Sequence, residues 1–85
     1  MSVKTVVITG AGSGLGRELA INYAKRGARV AVADLLVERA QETLALLPGS
    51  GHIAIEMNVA DSKDWQQVAA QLKAEFDTVS VLINN

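Results

Sequence analysis

The chain has 85 residues, 49% of them hydrophobic and 20% charged, with 8 basic residues against 9 acidic ones. That apolar fraction excludes a disordered tail, and a net charge of −1 supplies no basic field for a nucleic-acid backbone. The absence of cysteine excludes a disulfide scaffold, a thiolate zinc site and a thiol nucleophile. No apolar run reaches the roughly 18 residues needed to span a bilayer, and no long apolar stretch opens the chain, so the expectation is a soluble cytoplasmic protein without a membrane partner.

Residues 3–9 form a continuous, mostly β-branched run, as expected of a strand buried on both faces of a parallel sheet. A glycine-rich turn follows over residues 10–16. Leu15, Leu19 and Tyr23 then recur at i, i+4 and i+8, with Ala20 and Ala24 beside them, and predict a helix that ends at Gly27. Residues 28–33 read as a second strand that finishes at Asp34. Val37, Ala40, Leu44 and Leu47 mark a second helix, broken at Pro48-Gly49-Ser50-Gly51. A third strand is predicted over residues 53–59. Asp61 suits an N-cap, with Asp64 where a capping-box acid stands, and Trp65, Val68, Leu72 and Phe76 give the third helix its apolar face. Residues 79–83 form the fourth strand, followed by Asn84-Asn85. The alternation β-α-β-α-β-α-β, with short connections and no linker, predicts one α/β domain with a parallel sheet and right-handed crossovers.

The turn between the first strand and the first helix carries the chemistry. Four glycines in seven positions cost chain entropy, and a phosphate group is a demand that explains them. Glycines let the backbone approach closely, and a helix N-terminus offers free N–H groups at the positive end of its dipole. Two phosphate motifs fail. A P-loop requires a lysine after its last glycine, but Arg17 follows Gly16. The G-x-G-x-x-G fingerprint meets Leu15 when started at Gly10 and Arg17 when started at Gly12. The spacing that does match is Thr-Gly-x-x-x-Gly-x-Gly, through Thr9, Gly10, Gly14 and Gly16.

That spacing resembles the short-chain dehydrogenase/reductase family in its single-domain form. Three further features resemble it in the right order: the acid Asp34 ending the second strand, Asn58-Val59 after the third, where the family has Asp-Val, and Asn84-Asn85, the first half of the family's Asn-Asn-Ala-Gly. The resemblance implies the N-terminal part of a Rossmann-like doubly wound sheet with strand order 3-2-1-4. Thr9, Gly10, Asp34, Asn58 and Asn84 then fall at the C-terminal ends of parallel strands, where open α/β sheets bind ligands.

The resemblance also implies site roles. Gly10, Gly14 and Gly16 shape a pyrophosphate turn, and Ser13 and Leu15 offer backbone or hydroxyl donors. Asp34, 18 residues beyond Gly16, accepts from the adenosine ribose hydroxyls and repels a 2′-phosphate. Leu35 follows it rather than an arginine, so NAD is expected over NADP, with Arg17 as the nearby cation that could reach a phosphate. Asn58 accepts from adenine, Val59 packs beside it, and Asn84 supports the fourth strand and the adenosine pocket.

The remaining polar and aromatic residues read as structural. His52 is placed at the surface, Trp65 and Phe76 in packing, and Asp61 and Asp64 at a helix start rather than in a metal site. Tyr23 lacks the lysine four residues on that the family's catalytic tyrosine needs, since Gly27 stands there. The family's serine, tyrosine and lysine lie after the fourth strand, so residues 1–85 are expected to be a C-terminally truncated NAD(P)-binding domain without catalytic residues of its own. The implied whole protein is an oxidoreductase, usually a homodimer or homotetramer, that moves hydride between a nicotinamide cofactor and an alcohol or ketone. The alternatives are a free-standing nucleotide-binding module and a non-functional fragment.

Overall fold

The structure, a computed structural model, describes residues 4–76, 79 and 81–85, without the side chain of Phe76. Val3, Ser80 and the Phe76 side chain, each part of a sequence expectation above, lie outside the described residues. The elements are β1 (Thr5–Thr9), α1 (Gly14–Lys25), β2 (Arg29–Asp34), α2 (Val37–Leu46), β3 (Ile53–Glu56), α3 (Ser62–Phe76) and β4 (Val81–Ile83). All three strand pairs are parallel, and the order is β3-β2-β1-β4, as the sequence led us to expect.

Strand alternation divides the core in two. On one face Val6, Ile8, Val30 and Val32 meet Ala20 and Ala24 of α1 and Ala40 of α2. On the other face Val7, Ala31, Ala33, Ile55 and Met57 meet Val68 and Leu72 of α3. The larger of these side chains, such as Ile8 and Met57, are fully buried, and each contributes about 1.5–3 kcal/mol of transfer free energy. The crossovers thus put α1 and α2 on one face and α3 on the other. Between α3 and the β1–β4 side lies an apolar groove of about 350 Å³, lined by Val7, Trp65, Val68, Ala69, Leu72, Lys73, Val79 and Leu82.

Three sequence expectations are corrected. The buried stripe of α1 is Gly16, Ala20 and Ala24, one position on from the predicted one, and Leu15 is 68% exposed. Small residues let the helix axis approach the sheet, while Leu19 and Tyr23 pack against the core from its flank. β3 ends at Glu56, so Asn58 and Val59 stand in a turn rather than a strand. The turn is built by Asn58, whose Oδ1 accepts from Ala60 N–H at 3.0 Å and whose carbonyl accepts from Asp61 N–H. Asp61 and Asp64 do act at the start of α3: Asp61 Oδ1 accepts from Lys63 N–H at 2.8 Å, and Asp64 Oδ2 reaches back to Asn58 N–H at 2.9 Å. Finally, His52 is half-buried and bridges rather than lying free on the surface. Its Nδ1 accepts from Val30 N–H at 3.0 Å, which makes Nε2 the protonated nitrogen that donates to the Pro48 carbonyl at 2.7 Å.

Two backbone hydrogen bonds carry the sheet past its strand ends and set up the site. Ala11 N–H donates to the Ala33 carbonyl at 3.0 Å, and Met57 N–H to the Asp34 carbonyl at 2.9 Å. The glycine turn, the end of β2 and the β3–α3 turn are therefore held at one level.

Candidate cofactor site

A cleft of about 180 Å³ opens over the C-terminal ends of the strands. Gly10 after β1, Asp34 and Leu35 at the end of β2, Met57, Asn58 and Val59 after β3, and Asn85 after β4 line it. Met57 is its buried floor, and Leu35 and Val59 are walls with 60% and 48% of their surface exposed. The site therefore combines apolar walls with few polar groups, the usual make-up of a small-molecule pocket.

Asp34 is the anchor of the polar side. Its Oδ2 accepts from Gly12 N–H at 2.9 Å and its Oδ1 from Leu36 N–H at 3.0 Å. An ionised carboxylate has about four lone-pair positions, so two backbone bonds fix its plane and leave acceptor capacity for a ligand hydroxyl.

The glycines divide by purpose. Gly14 has φ +58 with nothing within 4 Å of an added Cβ, so its backbone conformation is what selects glycine. Gly16 is buried beneath the turn, where a Cβ would fall 2.3 Å from the Gly10 carbonyl oxygen and 2.8 Å from Asn85 Nδ2. Gly16 thus permits α1 to pack closely against the turn after β1 and against Asn85 after β4, and it does not line the cleft. Ser13 is the N-cap of α1, but its side chain makes no capping hydrogen bond, and no acid stands in the first turn. Ser13, Gly14 and Leu15 are exposed, and they stand at the positive end of the α1 dipole.

Arg17 is already engaged. Its guanidinium donates to the Gly12 carbonyl through Nη2 and to Thr43 Oγ1 through Nε at 2.8 Å, and Thr43 in turn donates to the Ala11 carbonyl at 2.8 Å. Arg17 braces the turn from α1 and so is not a loose cation at its rim. Thr43 is fully buried and was not singled out by the sequence pattern, because a lone threonine on a helix face has no signature.

The two terminal asparagines exchange the expected emphasis. Asn84 Oδ1 accepts from the Thr9 hydroxyl at 3.1 Å and ties β4 to β1 without lining the cleft. Asn85 lines it: its N–H donates to Thr9 Oγ1 at 3.1 Å and its Nδ2 to the Gly10 carbonyl at 3.3 Å. Asn58 lines the cleft too, but its Oδ1 already takes the Ala60 N–H. Leu35, Met57 and Asn85 belong to the cleft without having been predicted. Among the described residues no group of three His, Asp or Glu side chains is placed to hold a metal ion, and no helix is long and apolar enough to cross a membrane.

Comparison with known proteins places this geometry. Residues 4–85 match the short chain dehydrogenase family. A short chain dehydrogenase/reductase of Macrophomina phaseolina is 44% identical over 85 residues, which is 96% of this chain and 49% of that protein. A crystal structure of a short chain dehydrogenase from Bacillus anthracis superposes with a TM-score of 0.89 at 36% identity, over 96% of this chain and 34% of that one. A 7α-hydroxysteroid dehydrogenase complexed with NADH and 7-oxo glycochenodeoxycholic acid superposes with a TM-score of 0.90 at 30% identity, over 96% and 33%. The chain thus spans about half the length of the first relative and about a third of the two structures. The match runs through nearly all of its residues and rests on the same sheet, and on that ground the chain belongs to the short-chain dehydrogenase family.

Proposed function

We propose that this chain binds the adenosine and pyrophosphate part of a nicotinamide dinucleotide and serves an oxidoreductase acting on an alcohol or ketone. The observation that carries the reading is Asp34: a carboxylate fixed by two backbone N–H groups, on the wall of a cleft whose floor and sides are apolar. Asp34 would accept from the ribose hydroxyls, Leu35 and Val59 would flank the adenine, and Ser13, Gly14 and Leu15 at the α1 N-terminus would hold the pyrophosphate. Gly10, Gly16 and Asn85 pack against one another beneath, and Asn84 ties β4 to β1 through Thr9. When bound, the nicotinamide supplies or accepts a hydride.

The same carboxylate favours NAD over NADP, because a 2′-phosphate would stand against a fixed negative charge. Arg17, bonded to Gly12 and Thr43, is not poised to neutralise it. The relative complexed with NADH is consistent with the cofactor class.

Thermal unfolding of the chain with NAD, ADP-ribose and NADP tests this. A ligand that binds only the folded state stabilises it by about 2.7 kcal/mol at 100 times its Kd. NAD and ADP-ribose should raise the Tm in a saturable way, and NADP should do so only at higher concentration. A Tm indifferent to all three would overturn the reading, and a larger response to NADP would overturn the preference.

A further inference from the structure

The indole of Trp65 stands between two features on opposite sides of one turn. Its ring lines the apolar groove beside α3, packed against the core of Val7, Ile55 and Val68. Its Nε1–H points the other way and donates to the carbonyl of Val59 at 2.8 Å. Val59 is a wall of the cleft, although Trp65 does not line it.

Among the described residues, the turn that carries Val59 is tied to the sheet at its start, by Met57 N–H on the Asp34 carbonyl, and to α3 at its end, by Trp65 N–H on the Asp61 carbonyl. Asn58 closes it locally with Ala60 and Asp61, and Asp64 holds the Asn58 N–H. Those bonds fix the turn to itself and to the first turn of α3. The Trp65 bond is the one that joins the Val59 carbonyl to a side chain packed on the sheet. A half-exposed valine on a short turn makes a defined wall only if its backbone is held, since a loose wall must be ordered when the ligand binds.

We infer that Trp65 is a positioning residue for the cleft: through its indole N–H it holds the β3–α3 turn in the conformation that binds the adenosine end of the nucleotide. The inference rests on the proposed nucleotide site and extends it to a residue that does not line the cleft. It also makes the groove side of α3 and the cleft mechanically continuous.

Trp65 is the sole tryptophan, so its indole N–H gives one resonance in a proton–nitrogen correlation spectrum. The test is a titration of the chain with ADP-ribose. The indole signal should move together with the Gly10 and Val59 amides and saturate at the same concentration. If the amides move and the indole stays, the positioning role is overturned and the nucleotide site stands. If no amide moves, the nucleotide site fails and the role falls with it. Trp65→Phe keeps the aromatic body and removes the donor. It should raise the ADP-ribose Kd by roughly three- to tenfold, the range one hydrogen bond spans, while lowering the unliganded Tm by about 4–8 °C. An unchanged Kd in a folded Trp65→Phe chain also overturns the role. Should that variant fail to fold, the wild-type titration alone decides.

Discussion

Gly12 donates its N–H to Asp34 Oδ2 at 2.9 Å, and a Cβ added to Gly12 would lie 2.7 Å from that same oxygen and 2.6 Å from the Arg39 Cβ. The glycine turn after β1 and the acid after β2 are therefore one unit. Gly12→Ala should push the carboxylate off its N–H donor. We expect a loss of about 1–3 kcal/mol, typical of overpacking a filled site, together with weaker NAD binding. Urea unfolding and calorimetric titration measure the two effects. Wild-type stability with wild-type affinity would mean that Asp34 and Arg39 yield freely.

Gly14 and Gly16 should respond unequally to the same change. Gly16→Ala drives a Cβ to 2.3 Å from a backbone oxygen and 2.9 Å from the Ala11 Cα, atoms that cannot rotate away. The helix must lift, and the chain should lose its cooperative thermal transition. Gly14→Ala meets open space and bears only the strain of φ +58, about 1–2 kcal/mol. It should fold with a lowered Tm. The opposite ranking by circular dichroism would contradict the packing described for the turn.

Arg17, Thr43 and the carbonyls of Ala11 and Gly12 form one buried-to-surface chain of hydrogen bonds joining α1, α2 and the turn. Thr43→Val keeps the shape of the side chain and removes both of its bonds. The Ala11 carbonyl and Arg17 Nε then lose their partner, for about 1–3 kcal/mol. Because Arg17 acts partly through Thr43, a double-mutant cycle of Arg17→Ala and Thr43→Val should show coupling of about 0.5–3 kcal/mol. Strict additivity would mean that the two side chains brace the turn independently.

The parallel sheet and the line-up of Gly10, Asp34, Asn58 and Asn84 at the C-terminal ends of its strands were legible in the residue pattern, whereas the strand order was legible only through the family resemblance of the glycine spacing. Continuous β-branched runs separated by helical spacing admit few topologies, and parallel strands end on the same side. Details set by side chains folding back on backbone were not legible. Val59 reads as strand by its type, but Asn58 binds Ala60 and turns the chain before it. His52 is the sole histidine, and nothing in its neighbours shows that its Nδ1 replaces a backbone acceptor for Val30. Leu15 fits an apolar helical stripe as well as Gly16 and Ala20 do. What separates them is the close approach of α1 to β1, which is a tertiary property.

Cofactor choice should turn on Asp34. The Asp34 carboxylate and the Arg39 Cβ flank the same face of Gly12, 2.7 Å and 2.6 Å from a Cβ added there. Asp34→Ala removes the acceptor for the ribose hydroxyls and the charge that opposes a 2′-phosphate. NAD affinity should fall roughly ten- to a hundredfold, the range for hydrogen bonds to a charged group, and the NAD/NADP ratio should move toward NADP. Because Asp34→Ala also frees the Gly12 and Leu36 N–H groups, Asp34→Asn serves as its control. It keeps one acceptor oxygen without the charge and should shift the ratio in the same direction with a smaller loss of Tm. Fluorescence titration with both reduced cofactors gives the ratios, and a ratio unchanged in Asp34→Ala would show that this carboxylate does not select the cofactor.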